Sequence, residues 1–265
     1  MKKWNGVLLV MIALYSCNQN ENGERVKDPA KMEVLNQLEK NVQQHPDSAS
    51  LRMLYINALD SLQMYPEAIA QADSMIRRDS LNNGLWFAKG QLLESNHDTA
   101  QAISSYKKAL SIYPSVEAQL NLANLFAETK NAASLQICQE VSRMGLGRET
   151  DANCDFIAGV YYARTGDNDK AKAFFDRSIN NNYTLMEAYM EKGFIFYSEK
   201  NYTEAQKTFE TAITINNTYA DAYYWKAKTL EAKGNNDDAL LNYERSLGLD
   251  KNLREAREAI KRLTK

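Results

Sequence analysis

The sequence predicts an all-α fold built as a stack of antiparallel helix pairs, and three observations carry that prediction. Small and large apolar residues recur along most of the 265 residues with a step of about 34, the length of one helix–turn–helix unit. Only 11 Gly and 4 Pro are present, too few for a turn-rich β fold. Apolar content is 44% and charged content 25%, ordinary for a folded body with a core, and the apolar residues stand at helical spacing.

Taken from the N-terminus, the first element is a leader. Lys2 and Lys3 are followed by eight unbroken apolar residues, 7–14 (VLLVMIAL), the layout of a secretory signal peptide and too short to span a bilayer. Leu14-Tyr15-Ser16-Cys17 resembles the lipobox of bacterial lipoproteins, although Tyr15 is a less common choice at its slot. The resemblance implies that residues 1–16 are a lipoprotein signal peptide, cut before Cys17, and that Cys17 is lipidated and anchors the chain to a bilayer. Removing residues 1–16 takes away two Lys and no acid, leaving 30 basic residues against 34 acidic ones. Residues 17–29 continue as a polar stretch without periodic apolar positions, expected to be a flexible tether.

The folded body is expected over 30–265. Residues 31–45 carry Val34, Leu35, Leu38 and Val42 at helical spacing, a leading helix in the register of a second helix without its first. The repeats follow over about 49–253. Residues 86–114 read W-x3-G-x2-L-x8-A-x3-Y-x2-A-x4-P through Trp86, Gly90, Leu93, Ala102, Tyr106, Ala109 and Pro114. The small slot of the first helix recurs as Ile56, Gly90, Ala123, Gly159, Gly193 and Ala227, and that of the second as Ala68, Ala102, Leu135, Ala171, Ala205 and Ala239. This pattern resembles the tetratricopeptide repeat (TPR), in six copies starting near Ala49, Asn83, Val116, Ala152, Met186 and Ala220. The resemblance implies a right-handed superhelical solenoid. Gly and Ala at the small slots let two helices approach closely, and large residues four positions after the second slot fill the space. The third copy departs from the pattern, with Leu135 and Gln139 in the Ala and aromatic slots and a longer loop over 142–151, so an irregularity in the stack is expected there. Cys138 and Cys154 flank that loop, and either a disulfide or two buried thiols fits. Residues 253–264 have one apolar stripe and much charge, as a capping helix requires.

In the TPR family the first helices line a concave groove, and positions 2, 5, 9 and 12 of each repeat point into it. The resemblance thereby nominates Met53, Asn57, Phe87, Gln91, Leu120, Asn124, Phe156, Phe194, Tyr197 and Tyr224 as a partner-binding groove. Position 5 is apolar in all six copies (Met53, Phe87, Leu120, Phe156, Met190, Tyr224), which disfavours the Lys-based carboxylate grip of cytosolic chaperone-binding TPRs. A row of apolar residues flanked by Asn and Gln suits an extended or helical protein segment, unless position 5 instead packs within its own hairpin.

Other chemistries have little to stand on. The net charge is −2 without a long Lys/Arg block, which gives no reason to expect nucleic acid. His45 and His97 are the only histidines, neither at metal spacing from a Cys or another His, and no G-x-S-x-G, Walker or G-x-G-x-x-G motif occurs. No catalytic residue, metal or cofactor beyond the lipid on Cys17 is therefore expected. Triplets such as Asp47-Ser48-Ala49, Asp79-Ser80-Leu81 and Asp98-Thr99-Ala100 resemble the O-glycosylation motif of Bacteroidetes envelope proteins, and Asp and Ser also favour helix caps. Together the likenesses are to TPR lipoproteins of Bacteroidetes-type bacteria. They imply a non-enzymatic scaffold for a protein partner in the cell envelope, at the outer rather than the inner membrane, supporting assembly of an envelope or secretion complex. An adaptor that docks a peptidase or cell-wall enzyme, or a glycan- or nutrient-binding lipoprotein, remains as an alternative.

Overall fold

The computed structural model describes residues 29–264; the expected leader, Cys17 and the tether up to residue 28 lie outside the described residues. Fourteen helices and no strand occur among the described residues. The chain divides after Leu122 into two compact units. The first holds α1 (Pro29–Gln44), α2 (Ala49–Ser61), α3 (Tyr65–Arg78), α4 (Asn83–Ser95) and α5 (Thr99–Ile112). Helix α6 (Val116–Glu128) crosses the division. The second holds α7 (Ala133–Arg143), α8 (Arg148–Thr165), α9 (Asn168–Asn181), α10 (Met186–Ser198), α11 (Tyr202–Ile215), α12 (Ala220–Ala232), α13 (Asn236–Leu249) and α14 (Arg254–Leu263).

Local chemistry sets the helix ends. Pro29, expected at the end of the tether, is the first residue of α1, where its missing N–H costs nothing. Side chains of Ser48, Asn82, Asp98, Asp167 and Asn201 accept from the backbone N–H three residues on and cap α2, α4, α5, α9 and α11. Ser48 is thus engaged as a cap and Thr99 is the first residue of α5, so of the three Asp-Ser/Thr triplets named above it is Ser80 that stands exposed in a turn. Helix α8 starts at Arg148, four residues before the expected Ala152. Gly147 opens it at φ 105°, Glu149 and Asp151 sit favourably in its first turn, and the loop expected over 142–151 contracts to residues 144–147.

Within the helix pairs, turns of two to four residues fold the second helix back on the first. Each turn has one residue in the left-handed region: Gln63, His97, Lys130, Gly166, Lys200 and Gly234. The period seen in the side chains is therefore also a period in the backbone, and His97 occupies a turn slot. At this conformation a Cβ costs about 1 kcal/mol. Gly166→Ala should lower stability by about that much, and Lys200→Gly should raise it by up to about 1 kcal/mol, both read by urea denaturation.

The cores follow from size matching. Tyr106, Phe175 and Phe209 are fully buried, each sixteen residues after Gly90, Gly159 and Gly193. A Cβ on Gly90 or Gly159 would lie 2.5 or 2.6 Å from the facing ring, and one on Gly193 closer still. Where the ring hydroxyl is present it is satisfied: Tyr106 donates to Glu94 and Tyr243 to Glu231, each at 2.8 Å. Ion pairs recur with the same register between successive repeats, Lys89–Asp73, Lys192–Asp176 and Lys226–Glu210, all partly exposed and each worth less than about 1 kcal/mol.

One polar network in the second unit is of another kind. Arg164, on the last turn of α8, donates to both oxygens of Glu128 at 2.8 and 3.0 Å and to both oxygens of Glu191 at 2.9 Å. Glu191 is 2% exposed, so one guanidinium fastens α6, α8 and α10 from a largely buried position. Burial raises the Glu128 carboxyl above its ordinary range, with Arg164 pulling the other way. The folded state therefore holds that proton more tightly than the unfolded chain, so its contribution is present at low pH and lost as pH rises through the raised value. Relative to Glu128→Gln, the wild type should gain stability between neutral pH and pH about 4, measured by urea titrations at both ends.

Cys138 and Cys154, on α7 and α8, are buried free thiols. Contact with Cys154 and burial push the Cys138 thiol upward, so it is protonated at neutral pH.

Candidate functional site

The nominated groove residues fall into two groups. In the first unit, Asn57 and Gln91 are exposed, Met53 packs against the core that contains Leu59 and Ala72, and Leu120 is buried at 7% exposure. The Phe87 ring lies 5.6 Å from Tyr106 of its own hairpin. In the second unit, Phe156 is 4% exposed with its ring 5.8 Å from Phe175, and Tyr224 lies 5.6 Å from Tyr243. Met190 joins the core of Phe209.

Position 5 is thus not a row of contact residues. In the second, fourth, fifth and sixth repeats it stands one helical turn before the small slot and packs with the large residue of the second helix, Tyr106, Phe175, Phe209 or Tyr243. Phe156 accordingly offers no surface, and Leu120 is buried as well. Phe156→Ala should cost about 3–5 kcal/mol of stability, seen as an early thermal transition, and is no test of binding. Asn124 is half-buried, with an Oδ1 that has no hydrogen-bond partner among the described residues.

What the structure does bring together is an aromatic cluster on α10, α11 and α12. Phe194 meets Trp225 at 4.5 Å between centroids. Tyr197 meets Trp225 edge-on at 5.6 Å and Tyr202 at 5.5 Å. Tyr224 stands edge-on to Trp225 at 5.8 Å. Lys228 Nζ lies 4.3 Å from the Trp225 centroid, 5.6 Å from Tyr197 and 5.7 Å from Tyr224. Lys228, Trp225, Tyr224, Tyr197 and Phe194 are all half-buried, and Phe194, Tyr197 and Trp225 also pack on the buried core of Phe209, so the cluster is the partly exposed edge of that core. Burial lowers the Lys228 ammonium and raises the Tyr197 and Tyr224 hydroxyls, the latter to about 12. At neutral pH the phenols are donors.

Phe194, Tyr197 and Tyr224 of this face were nominated from the sequence; Trp225 and Lys228 were not. Trp225 follows the position 5 residue directly and belongs to no groove column, so its contact with Phe194, 31 residues back, had no local signal. Lys228 stands in the position 9 column, where its charge among uncharged residues was the available sign.

Models of the tetratricopeptide repeat match residues 84–116 and 220–253, and a TPR repeat model matches 193–234. Tetratricopeptide-repeat sequence is thus present at residues 84–116 and 193–253. The last two matches contain Phe194, Tyr197, Tyr224, Trp225 and Lys228, so the aromatic face lies within TPR sequence. The fold agrees with solved TPR structures. A TPR protein from Parabacteroides merdae superposes with a TM-score of 0.72 at 15% identity, covering 89% of this chain and 93% of that one. Yeast Tom70 gives 0.60 at 16%, covering 89% of this chain and 58% of that one. A TPR protein of Thermus thermophilus gives 0.57 at 16%, covering 69% and 99%. No curated protein matches the sequence.

Among the described residues no helix is long and apolar enough to cross a membrane, and no three His, Cys, Asp or Glu side chains are grouped to hold a metal.

Proposed function

We propose that this TPR protein is a non-enzymatic docking scaffold of the bacterial envelope, held to a membrane through lipid on Cys17, with the α10–α12 face as its partner-binding surface. The observation that carries the reading is that face: four half-buried aromatic side chains and a lysine, arranged on stacked helices, give the mixture of apolar area and hydrogen-bond donors typical of interface centres. Such residues are costly to leave in water and are understandable where a second protein covers them. The Leu14-Tyr15-Ser16-Cys17 sequence after a short apolar run supports the anchor. A scaffold in an envelope complex needs both, a fixed location and a surface for one partner.

Two variants test the two halves. Cys17→Ala should leave the helical fold intact and move the protein from the membrane pellet to the soluble fraction after fractionation; retention in the pellet would sink the anchor. Phe194→Ala with Trp225→Ala should abolish capture of the dominant crosslinked partner from native membranes while the far-ultraviolet circular dichroism stays helical. Undiminished capture would remove this face from the binding surface.

A further inference from the structure

We infer that Cys138 and Cys154 form a reversible redox staple: oxidised to a disulfide they lock α7 to α8, and reduced they leave that joint free to open. The two thiols sit on consecutive helices of different pairs, α7 ending the third repeat and α8 opening the fourth, and these helices pack on one another. Both thiols are buried, and their side chains are in hydrogen-bond contact. A bond between them ties one repeat to the next rather than closing a hairpin. At the same register, other junctions carry Ser105 with Ala118 and Thr208 with Ala222. All four are buried as well, so this position is a close approach between repeats that the third junction alone of these three fills with two thiols.

The joint they span is the irregular one. Residues 144–147 connect α7 to α8, with Gly145 and Gly147 at φ 63° and 105°. A Cβ on either glycine would meet nothing within 4 Å, and Met144 and Leu146 stand exposed. A connection with so little packing opens locally at low cost, and opening lets a small oxidant reach thiols that the closed structure hides. Contact with Cys138, aided by Ser142, lowers the Cys154 thiol, which makes Cys154 the attacking sulfur. With a small disulfide such as oxidised glutathione, the Cys154 thiolate attacks one sulfur and expels one glutathione thiolate. Cys138 then gives up its proton and attacks the Cys154 sulfur, expelling the second. The pair loses two electrons and two protons in all, and one glutathione disulfide becomes two thiols. The step is reversible because the dithiol form is itself packed and its thiols are in contact, and a stabilised dithiol makes its disulfide easier to reduce. The inference rests on α7 and α8 and is independent of the docking face; the envelope location proposed above would supply disulfide oxidants of this class.

The test equilibrates the folded full-length chain, carrying Cys17→Ala so that no third thiol competes, with glutathione mixtures from fully reduced to fully oxidised. Acid quenching and trypsin follow. Cleavage at Arg143 and Arg148 separates the two cysteines, so the disulfide appears as one linked product of peptides 131–143 and 149–164. This product should rise with the oxidised fraction and vanish on return to reduced glutathione. The linked form should melt about 5–10 °C higher, as closing a loop of about 15 residues does. Hydrogen exchange of the α7 amides should slow at least tenfold in the linked form and stay unchanged by oxidant in Cys154→Ala. Thiols that remain free in every mixture overturn the pairing, and so does glutathione captured on Cys154 without the link. A link that survives reduced glutathione in the folded protein is a permanent brace and overturns the switch. A linked form that melts no higher, or whose α7 exchanges as fast, overturns the staple.

Discussion

Arg164→Met is expected to cost the second unit about 3–5 kcal/mol, out of a total stability of about 5–15 kcal/mol for a domain. The guanidinium is shared by two carboxylates through four hydrogen bonds, and Glu191 has almost no access to water. Methionine keeps the aliphatic bulk and removes the charge, leaving two carboxylates facing each other in a poorly solvated space. Urea denaturation followed by circular dichroism reads the cost. Two further results identify its cause. The loss should shrink as pH falls towards about 4, because Glu128, whose carboxyl burial already raises, then loses its unpaired charge. Adding Glu128→Gln and Glu191→Gln to Arg164→Met should recover most of the loss, since a neutral network lacks the uncompensated charge. A cost under about 1 kcal/mol at neutral pH would mean that water reaches the network and that it acts like an ordinary surface pair.

The second large effect is at Gly193. In a helix interior, Gly→Ala ordinarily gains about 0.5–1 kcal/mol. Here the sign should reverse. A Cβ at residue 193 falls within 3 Å of the Phe209 ring, which is fully buried and has nowhere to go. Gly193→Ala is expected to lose about 1–3 kcal/mol and Gly193→Val more. Phe209→Ala alone should lose about 3–5 kcal/mol by leaving a cavity. The first repeat indicates the repair: Ile56 and Ala72, at the same sixteen-residue separation and in one core, have the large and small members exchanged. Gly193→Ile with Phe209→Ala should therefore be more stable than either single variant, a coupling that thermal melts of the four proteins measure directly. Additive losses would show that the two sites do not share one space.

Much of the fold was legible because its rules are local. Gly, Ala and aromatic residues repeated at a fixed step, and α2, α4, α6, α10 and α12 begin at Ala49, Asn83, Val116, Met186 and Ala220, the residues where the repeats were expected to start. The start of α8 was missed because Gly145 and Gly147 read as a long loop, whereas a positive φ at Gly147 lets the helix begin at the next residue. The candidate site was legible only in part. Phe194, Tyr197 and Tyr224 could be nominated from register. Leu120 and Phe156 came from the same register and proved to be buried, and Trp225 and Lys228 escaped it.

The sequence by itself determined the helix pairs, their period and the size matching within them, because each depends on residues a turn apart or at a constant offset. It also carries the Cys17 sequence on which the proposal of a membrane anchor rests. Only the tertiary structure decided which periodic residues are core and which are surface. Helices α4, α10 and α12 pack both on their own second helix and on the second helix of the preceding pair, so they are apolar on more than one side and hydropathy alone does not distinguish the two. The pairings that matter most, Arg164 with Glu128 and Glu191, and Trp225 with Phe194, join residues 27 to 36 apart. Such contacts exist because one helix pair is laid on the next, and no local pattern in the chain specifies the side chains that meet there.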